Sequence, residues 1–224
     1  MSKKVVTLGE LLLRLSTQQH KRFCQTDAFE VIYGGSEANV SVSLANFGVD
    51  SYFVSKLPDN PIGYSARAFL RKYGVNTDYI KMGEGRMGIY FYEKGTSVRP
   101  PRVVYDRSNS AITKASTAEF NFDEIFRNAD WFHVSGITPA LGPNCVEICE
   151  EALKHAKKYN VPVSVDLNYR EKLWSYDEYE KAMSKILKYA DLCIGWLDDN
   201  KDKNLKYNTT NFAQTDFDES KYIN

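Results

Sequence analysis

Tyr33-Gly34-Gly35-Ser36-Glu37-Ala38-Asn39 is the stretch on which the reading of the fold turns. It stands where Phe29, Val31 and Tyr33 alternate as in a strand and where a helix-like run, Val40 to Phe47, begins. Consecutive glycines admit backbone angles that other residues resist, so the pattern predicts a sharp turn that can approach a ligand closely. Ser36 is expected as the N-cap of the helix, with unbonded amides just beyond it. Such a turn suits a negatively charged or oxygen-rich ligand. Asn39 adds a side-chain donor and acceptor one turn in. Spacing alone is equally met by a strand–helix connection whose glycines only permit the turn.

Outward from this turn, strands and helices alternate. Val5 to Leu8 reads as a short buried strand ended by Gly9, and Leu11, Leu13 and Leu15 alternate as a second strand. Ala38, Val40, Val42, Leu44, Ala45 and Phe47 place apolar residues on most sides of the following helix, which predicts burial all round, with Gly48 as its stop. Ser51 to Ser55 reads as a strand, Leu57 to Pro61 as a loop, and Ile62 to Tyr73 as a helix stopped at Gly74. This order predicts a parallel sheet with helices on its faces. Met87 to Tyr92 and Arg102 to Tyr105 interrupt it: no helical pattern lies between them, so they are expected to pair as antiparallel neighbours. With Leu11 to Tyr33 they would form a small projecting sheet. Tyr90 and Tyr92 would then share one face of their strand, with Ile89 and Phe91 on the other. Alternation resumes with a helix at 123–128, a strand at 131–135, an amphipathic helix at 144–159, a strand at 163–167, a helix at 177–189 and a strand at 192–194. The expected organisation is an α/β core over residues 1–196 with projecting strands from about 11–33 and 86–112. Residues 197–224, rich in Asp, Asn, Lys and Thr, are expected as a polar tail.

Twenty-nine basic residues balance twenty-nine acidic ones in 224 residues, so charge gives no case for nucleic-acid or membrane-surface binding. No apolar run approaches the ~18 residues of a membrane span. Glu10 and Arg14 interrupt Val5 to Leu15, so the N-terminus does not read as a signal peptide, and a cytoplasmic protein is expected. Cys24, Cys145, Cys149 and Cys193 form no ligand spacing and are expected as buried free thiols. His133, inside a strand, is expected to be a satisfied core histidine.

Gly34-Gly35-Ser36-Glu37-Ala38-Asn39-Val40, running through Leu44-Ala45-Asn46-Phe47-Gly48, resembles the N-terminal signature of the ribokinase-like (PfkB) sugar kinases. The resemblance covers roughly residues 4 to 196, and it is strongest to the family's kinases of keto-sugar acids such as 2-keto-3-deoxygluconate. It implies a ribokinase-like parallel sheet with helices on both faces and a small β-sheet lid. It also implies substrate-binding roles for Gly34, Gly35, Asn39 and Tyr90, and for Tyr105 and Arg107 in Tyr105-Asp106-Arg107. The chemistry agrees: a keto-sugar acid carries a carboxylate, and a guanidinium fork matches its two oxygens. Gly136 and Ile137 follow a parallel strand at its carboxyl end, where ligands gather in open α/β sheets. Asp166-Leu167-Asn168-Tyr169-Arg170 resembles the family's Asp-x-Asn-x-Arg element, implying that Arg170 helps hold the carboxylate and that Asn168 lies toward the phosphate.

The family's catalytic base, an aspartate in a Gly-Ala-Gly-Asp element, has no match in these 224 residues; Gly83-Glu84-Gly85-Arg86 lies in the wrong half. No catalytic residue and no metal ligand is therefore assigned. The family's Asn-x-x-Glu element is doubtful too, because Gly195-Trp196-Leu197-Asp198-Asp199 stands at its place. ATP and Mg²⁺ are implied for a full-length family member. A homodimer formed through the lid is left open by the same resemblance. The expected function is ATP-dependent phosphorylation of 2-keto-3-deoxygluconate, with this chain as the substrate and lid half of a longer polypeptide. The alternatives are a non-catalytic sugar-acid binder or inactive fragment and, within the family, a fructokinase or ribokinase. A dinucleotide enzyme is disfavoured, since no Gly-x-Gly-x-x-Gly follows the first strand.

Overall fold

A computed structural model describes residues 2–195. The tail expected at 197–224 and the Trp196-Leu197-Asp198-Asp199 positions lie outside the described residues. The main layer is a six-stranded sheet of β1 (Lys4–Leu8), β4 (Asp50–Pro58), β5 (Ile80–Gly83), β8 (Trp131–Ser135), β9 (Val163–Asp166) and β10 (Leu192–Ile194). Its order is β10-β9-β8-β1-β4-β5, and every pairing is parallel. From β1 the chain runs outward through β4 and β5, then returns to the other side of β1 for β8, β9 and β10. The strand order therefore reverses between β1 and β8, and the crevice beyond their carboxyl ends is where open α/β sheets hold ligands.

The second sheet contains β2 (Leu12–Thr17), β3 (Phe29–Gly34), β6 (Gly88–Glu93) and β7 (Arg102–Asp106) in the order β3-β2-β6-β7. The expected antiparallel pairing of β6 with β7 is present, while β2 and β6 run parallel. This is the projecting sheet anticipated from the alternating segments. At its base Arg86 donates from Nη1 and Nη2 to the two carboxylate oxygens of Asp106, at 2.5 and 2.8 Å.

Helices cover both faces of the main sheet. On one side α1 (Ser36–Asn46) and α2 (Pro61–Lys72) pack with Phe53, Leu57, Ala66 and Leu70. On the other, α3 (Phe122–Phe126), α4 (Pro143–Lys158) and α5 (Tyr176–Leu187) enclose Phe126, Phe132, Ile148, Leu153 and Met183. The alternation of β4, with Phe53 in one cluster and Val54 in the other, is the period-2 pattern of a strand buried on both faces.

Several expectations are corrected. Gly35, not Ser36, is the N-cap of α1, and Ser36 is the first helical residue. Helix α1 is not buried all round: Glu37, Ala38 and Ser41 are its buried residues, and Phe47 is 83% exposed. Leu57 and Pro58 belong to β4 rather than to a loop, and Ile80-Lys81-Met82-Gly83 forms a further strand, β5, whose four residues are too few for a periodic pattern to stand out. The α4 stripe runs through Cys145, Ile148, Cys149, Ala152, Leu153 and Ala156, with Val146 at its flank. Cys145 and Cys149 are buried free thiols as expected, whereas Cys24 is exposed and Cys193 half-buried. Burial pushes the Cys145 thiol up to about 12 and Cys149 well above its ordinary value, so both stay protonated. His133 is a core residue whose Nδ1 lies 2.9 Å from the Ser164 hydroxyl.

Candidate functional site

Three carboxyl ends of the main sheet converge with the lid. After β1 come Gly9 and Glu10, after β8 come Gly136 and Ile137, and after β9 come Leu167 and Asn168. Strand β3 delivers Gly34-Gly35 to the start of α1. An inner cavity of about 160 Å³ is lined by Gly34, Gly35, Asn39, Tyr90, Tyr105, Arg107 and Ile137, together with Glu10, Leu12, Ser36 and Glu37. An outer cavity of about 700 Å³ is lined by Arg170, Tyr169, Val103 and Ser108, among others, and shares Tyr105, Arg107 and Ile137 with the inner one. The structure therefore brings Gly34, Gly35, Asn39, Tyr90, Tyr105, Arg107, Ile137 and Arg170 to two adjoining cavities, with Arg107 on the shared wall and Arg170 only on the outer, while Asn168 lines neither. A third hollow of about 290 Å³, beside Asp50, Arg71 and Asn76, contains none of these residues.

The glycines serve close approach rather than unusual angles. Gly35 has φ −175° and ψ 159°, an extended conformation open to any residue. A Cβ there would collide with the Glu10 backbone carbonyl, whereas one on Gly34 would meet only Asn39 Oδ1 at 3.4 Å. The turn thus lies directly against the chain leaving β1. The amides of Ser36, Glu37 and Ala38, at the start of α1, have no intrahelical acceptor, and Ser36 and Glu37 line the cavity.

The aromatic wall comes from the lid register, which sets Tyr90 opposite both Arg14 and Tyr105. The Tyr90 and Tyr105 rings lie 5.7 Å apart, and the Arg107 guanidinium carbon lies 5.7 Å from the Tyr105 ring centre. Tyr92, on the same strand face as Tyr90, has Arg14 over its ring at 5.8 Å.

Two acidic residues went unread. Arg107 is not open on all sides: its Nε donates to Glu10 Oε2 at 2.8 Å, and its Nη2 donates to the same oxygen. Both side chains are largely buried, at 12% and 4% exposure. Glu37, buried within the helix start, accepts on Oε1 from the Ser135 amide at 3.0 Å, the Ser135 hydroxyl at 2.7 Å and the Thr138 hydroxyl at 2.8 Å. Burial raises its carboxyl above the ordinary range, against the lowering effect of those bonds. The signal available for Glu10 was its place just beyond the first parallel strand; Glu37 carried none beyond its motif.

Asn168 adopts φ 39°, in the left-handed region that asparagine tolerates. Its Nδ2 donates to Asp166 Oδ2 at 3.1 Å and reaches Ser36 Oγ at 3.5 Å, tying the chain after β9 to the start of α1. Among the described residues no group of three or more His, Cys, Asp or Glu side chains is placed to hold a metal ion.

Comparison with known proteins agrees with this architecture. Over 195 residues the chain is 35% identical to a 2-dehydro-3-deoxygalactonokinase of Haloferax volcanii, covering 87% of this chain and 61% of that protein. The crystal structure of a 2-dehydro-3-deoxygluconokinase from Thermotoga maritima superposes with a TM-score of 0.84 at 53% identity, covering 85% of this chain and 59% of that one. A sugar kinase from Pyrococcus horikoshii in complex with ATP superposes with a TM-score of 0.75 at 25% identity, covering 84% and 62%. The chain spans about three fifths of the length of these relatives. The sequence pattern of the pfkB family carbohydrate kinases matches residues 2–198, and the chain belongs to that family.

Proposed function

We propose that this chain supplies the sugar-acid-binding and lid portion of an ATP-dependent kinase for a 2-keto-3-deoxy sugar acid, the gluconate or the galactonate. One observation carries the reading: Arg107 and Arg170 line one outer cavity, and Arg107 also lines the glycine-turn pocket. A carboxylate at the shared wall can be met by two guanidinium groups, whereas a neutral sugar needs neither. The polar groups of Asn39, Tyr90 and Tyr105 suit hydroxyl and keto oxygens. The names of the two 2-dehydro-3-deoxy acid kinases support the same class.

ATP is the proposed phosphoryl donor, supported by the ATP-bound relative. The described residues then bind and orient the acceptor, exclude water under the lid and present the helix start toward developing negative charge. The proposal places Asn168 on the phosphate side. Strand β7 is exposed along its whole length at the sheet edge, which supports a second copy of the chain as the partner of the lid.

A coupled ADP-release assay on the full-length native polypeptide tests the reading, with the two keto acids compared against fructose and ribose. Turnover confined to the keto acids is expected; turnover with fructose or ribose alone overturns it. A binder without turnover is the second reading. It predicts keto-acid binding by calorimetry with no ADP released.

A further inference from the structure

Glu10 is an unusual wall for a cavity meant to receive an anion. It follows the first parallel strand, is 4% exposed, and spends one oxygen, Oε2, on both Nε and Nη2 of Arg107. Its other oxygen, Oε1, is buried without a hydrogen-bond partner among the described residues. Two glycines are shaped around it. A Cβ on Gly35 would strike the Glu10 carbonyl, and one on Gly88 would lie 2.6 Å from Oε1. A buried carboxylate oxygen left unbonded opposes folding, so stability alone gives little reason for an acid at this place.

We propose that Glu10 is a positioning residue that sets the direction of Arg107 and thereby the selectivity of the site for an acid ligand. A guanidinium has five N–H donors in a rigid fork. Glu10 occupies the Nε/Nη2 edge and Tyr105 lies against the guanidinium carbon. Three donors, on Nη1 and the far side of Nη2, remain to form a bidentate end for a carboxylate. Holding the fork in advance spares the ligand the cost of ordering a long, flexible side chain. The inference rests on the proposed sugar-acid reading for the identity of the ligand, and on geometry alone for the pairing.

Two measurements on the full chain test it. The first is calorimetric affinity of wild type, Glu10→Ala and Glu10→Gln for 2-keto-3-deoxygluconate and for fructose. The second is the Arg107 Nε–H resonance in a ¹H–¹⁵N spectrum, assigned by its loss in Arg107→Lys. Glu10→Ala should weaken acid binding at least about tenfold and broaden or erase the Nε–H signal. Glu10→Gln, which keeps an acceptor, should restore both. Fructose affinity should change little. Acid affinity and Nε–H signal unaltered in Glu10→Ala would overturn the proposal, as would equal losses for acid and fructose or a failure of Gln to rescue. If wild type binds neither keto acid, the substrate reading falls, while the Nε–H signal still decides whether Glu10 holds Arg107.

Discussion

Glu37 is 1% exposed, and the Ser135 amide, the Ser135 hydroxyl and the Thr138 hydroxyl all donate to one of its oxygens. Burial favours the neutral acid and raises its folded-state value above the ordinary 4.5. The folded protein therefore binds more protons at this site than the unfolded chain. The stability it contributes is full below that ordinary value and is lost as pH rises through the raised one. Urea unfolding of wild type and Glu37→Gln at a series of pH values from about 4.5 upward checks this. Wild type should lose stability relative to the variant as pH increases; parallel curves would contradict it. At the neighbouring turn, Gly35→Ala should cost about 1–3 kcal/mol, because its Cβ meets backbone that cannot rotate away. Gly34→Ala, with an ordinary contact to Asn39, should cost clearly less, as chemical denaturation of both would register. Tyr90, Tyr105 and Arg107 were legible through the family resemblance, and Ile137 through its place just beyond the carboxyl end of a parallel strand. Glu10 and Glu37 were not read as wall residues, because what each touches depends on segments distant in sequence.

At the level of elements, the glycine stops at the C-terminal ends of α1 and α2 were the most readable features. Gly48 has φ +79°, with its N–H bonded to Ala45 O at 3.0 Å and that of Val49 to Leu44 O at 3.0 Å. Gly74 closes α2 in the same way, and Asn160 closes α4 at φ 56°. Gly48→Ala forces a side chain into the left-handed region and should cost about 1–2 kcal/mol, measured as a lower urea midpoint at unchanged slope. The burial of α1 was misjudged for a physical reason. Apolar count shows what a helix can bury but not where its neighbours lie, and its contacts run along Glu37, Ala38 and Ser41. The lid strands were recovered because an antiparallel pair without an intervening helix has few other ways to satisfy its backbone.

For the whole molecule, strand–helix alternation implied the parallel sheet, but the strand order β10-β9-β8-β1-β4-β5 was not legible, since periodicity identifies elements without their neighbours. That order places the switch point at β1 and β8 and so fixes where the site lies. Phe132, fully buried on β8 and 5.0 Å from the Phe126 ring, belongs to the larger core. Phe132→Ala should cost about 3–5 kcal/mol in urea unfolding. A loss below about 1 kcal/mol would mean that this side of the sheet is not packed as described.

Calorimetric titration of 2-keto-3-deoxygluconate into the full-length protein, with Arg107→Ala and Arg170→Ala alongside wild type, tests the shared guanidinium wall most directly. Each charge-assisted hydrogen bond removed should weaken acid binding by roughly 10- to 100-fold and leave fructose affinity nearly unchanged. Acid affinity equal to wild type in both variants would contradict it.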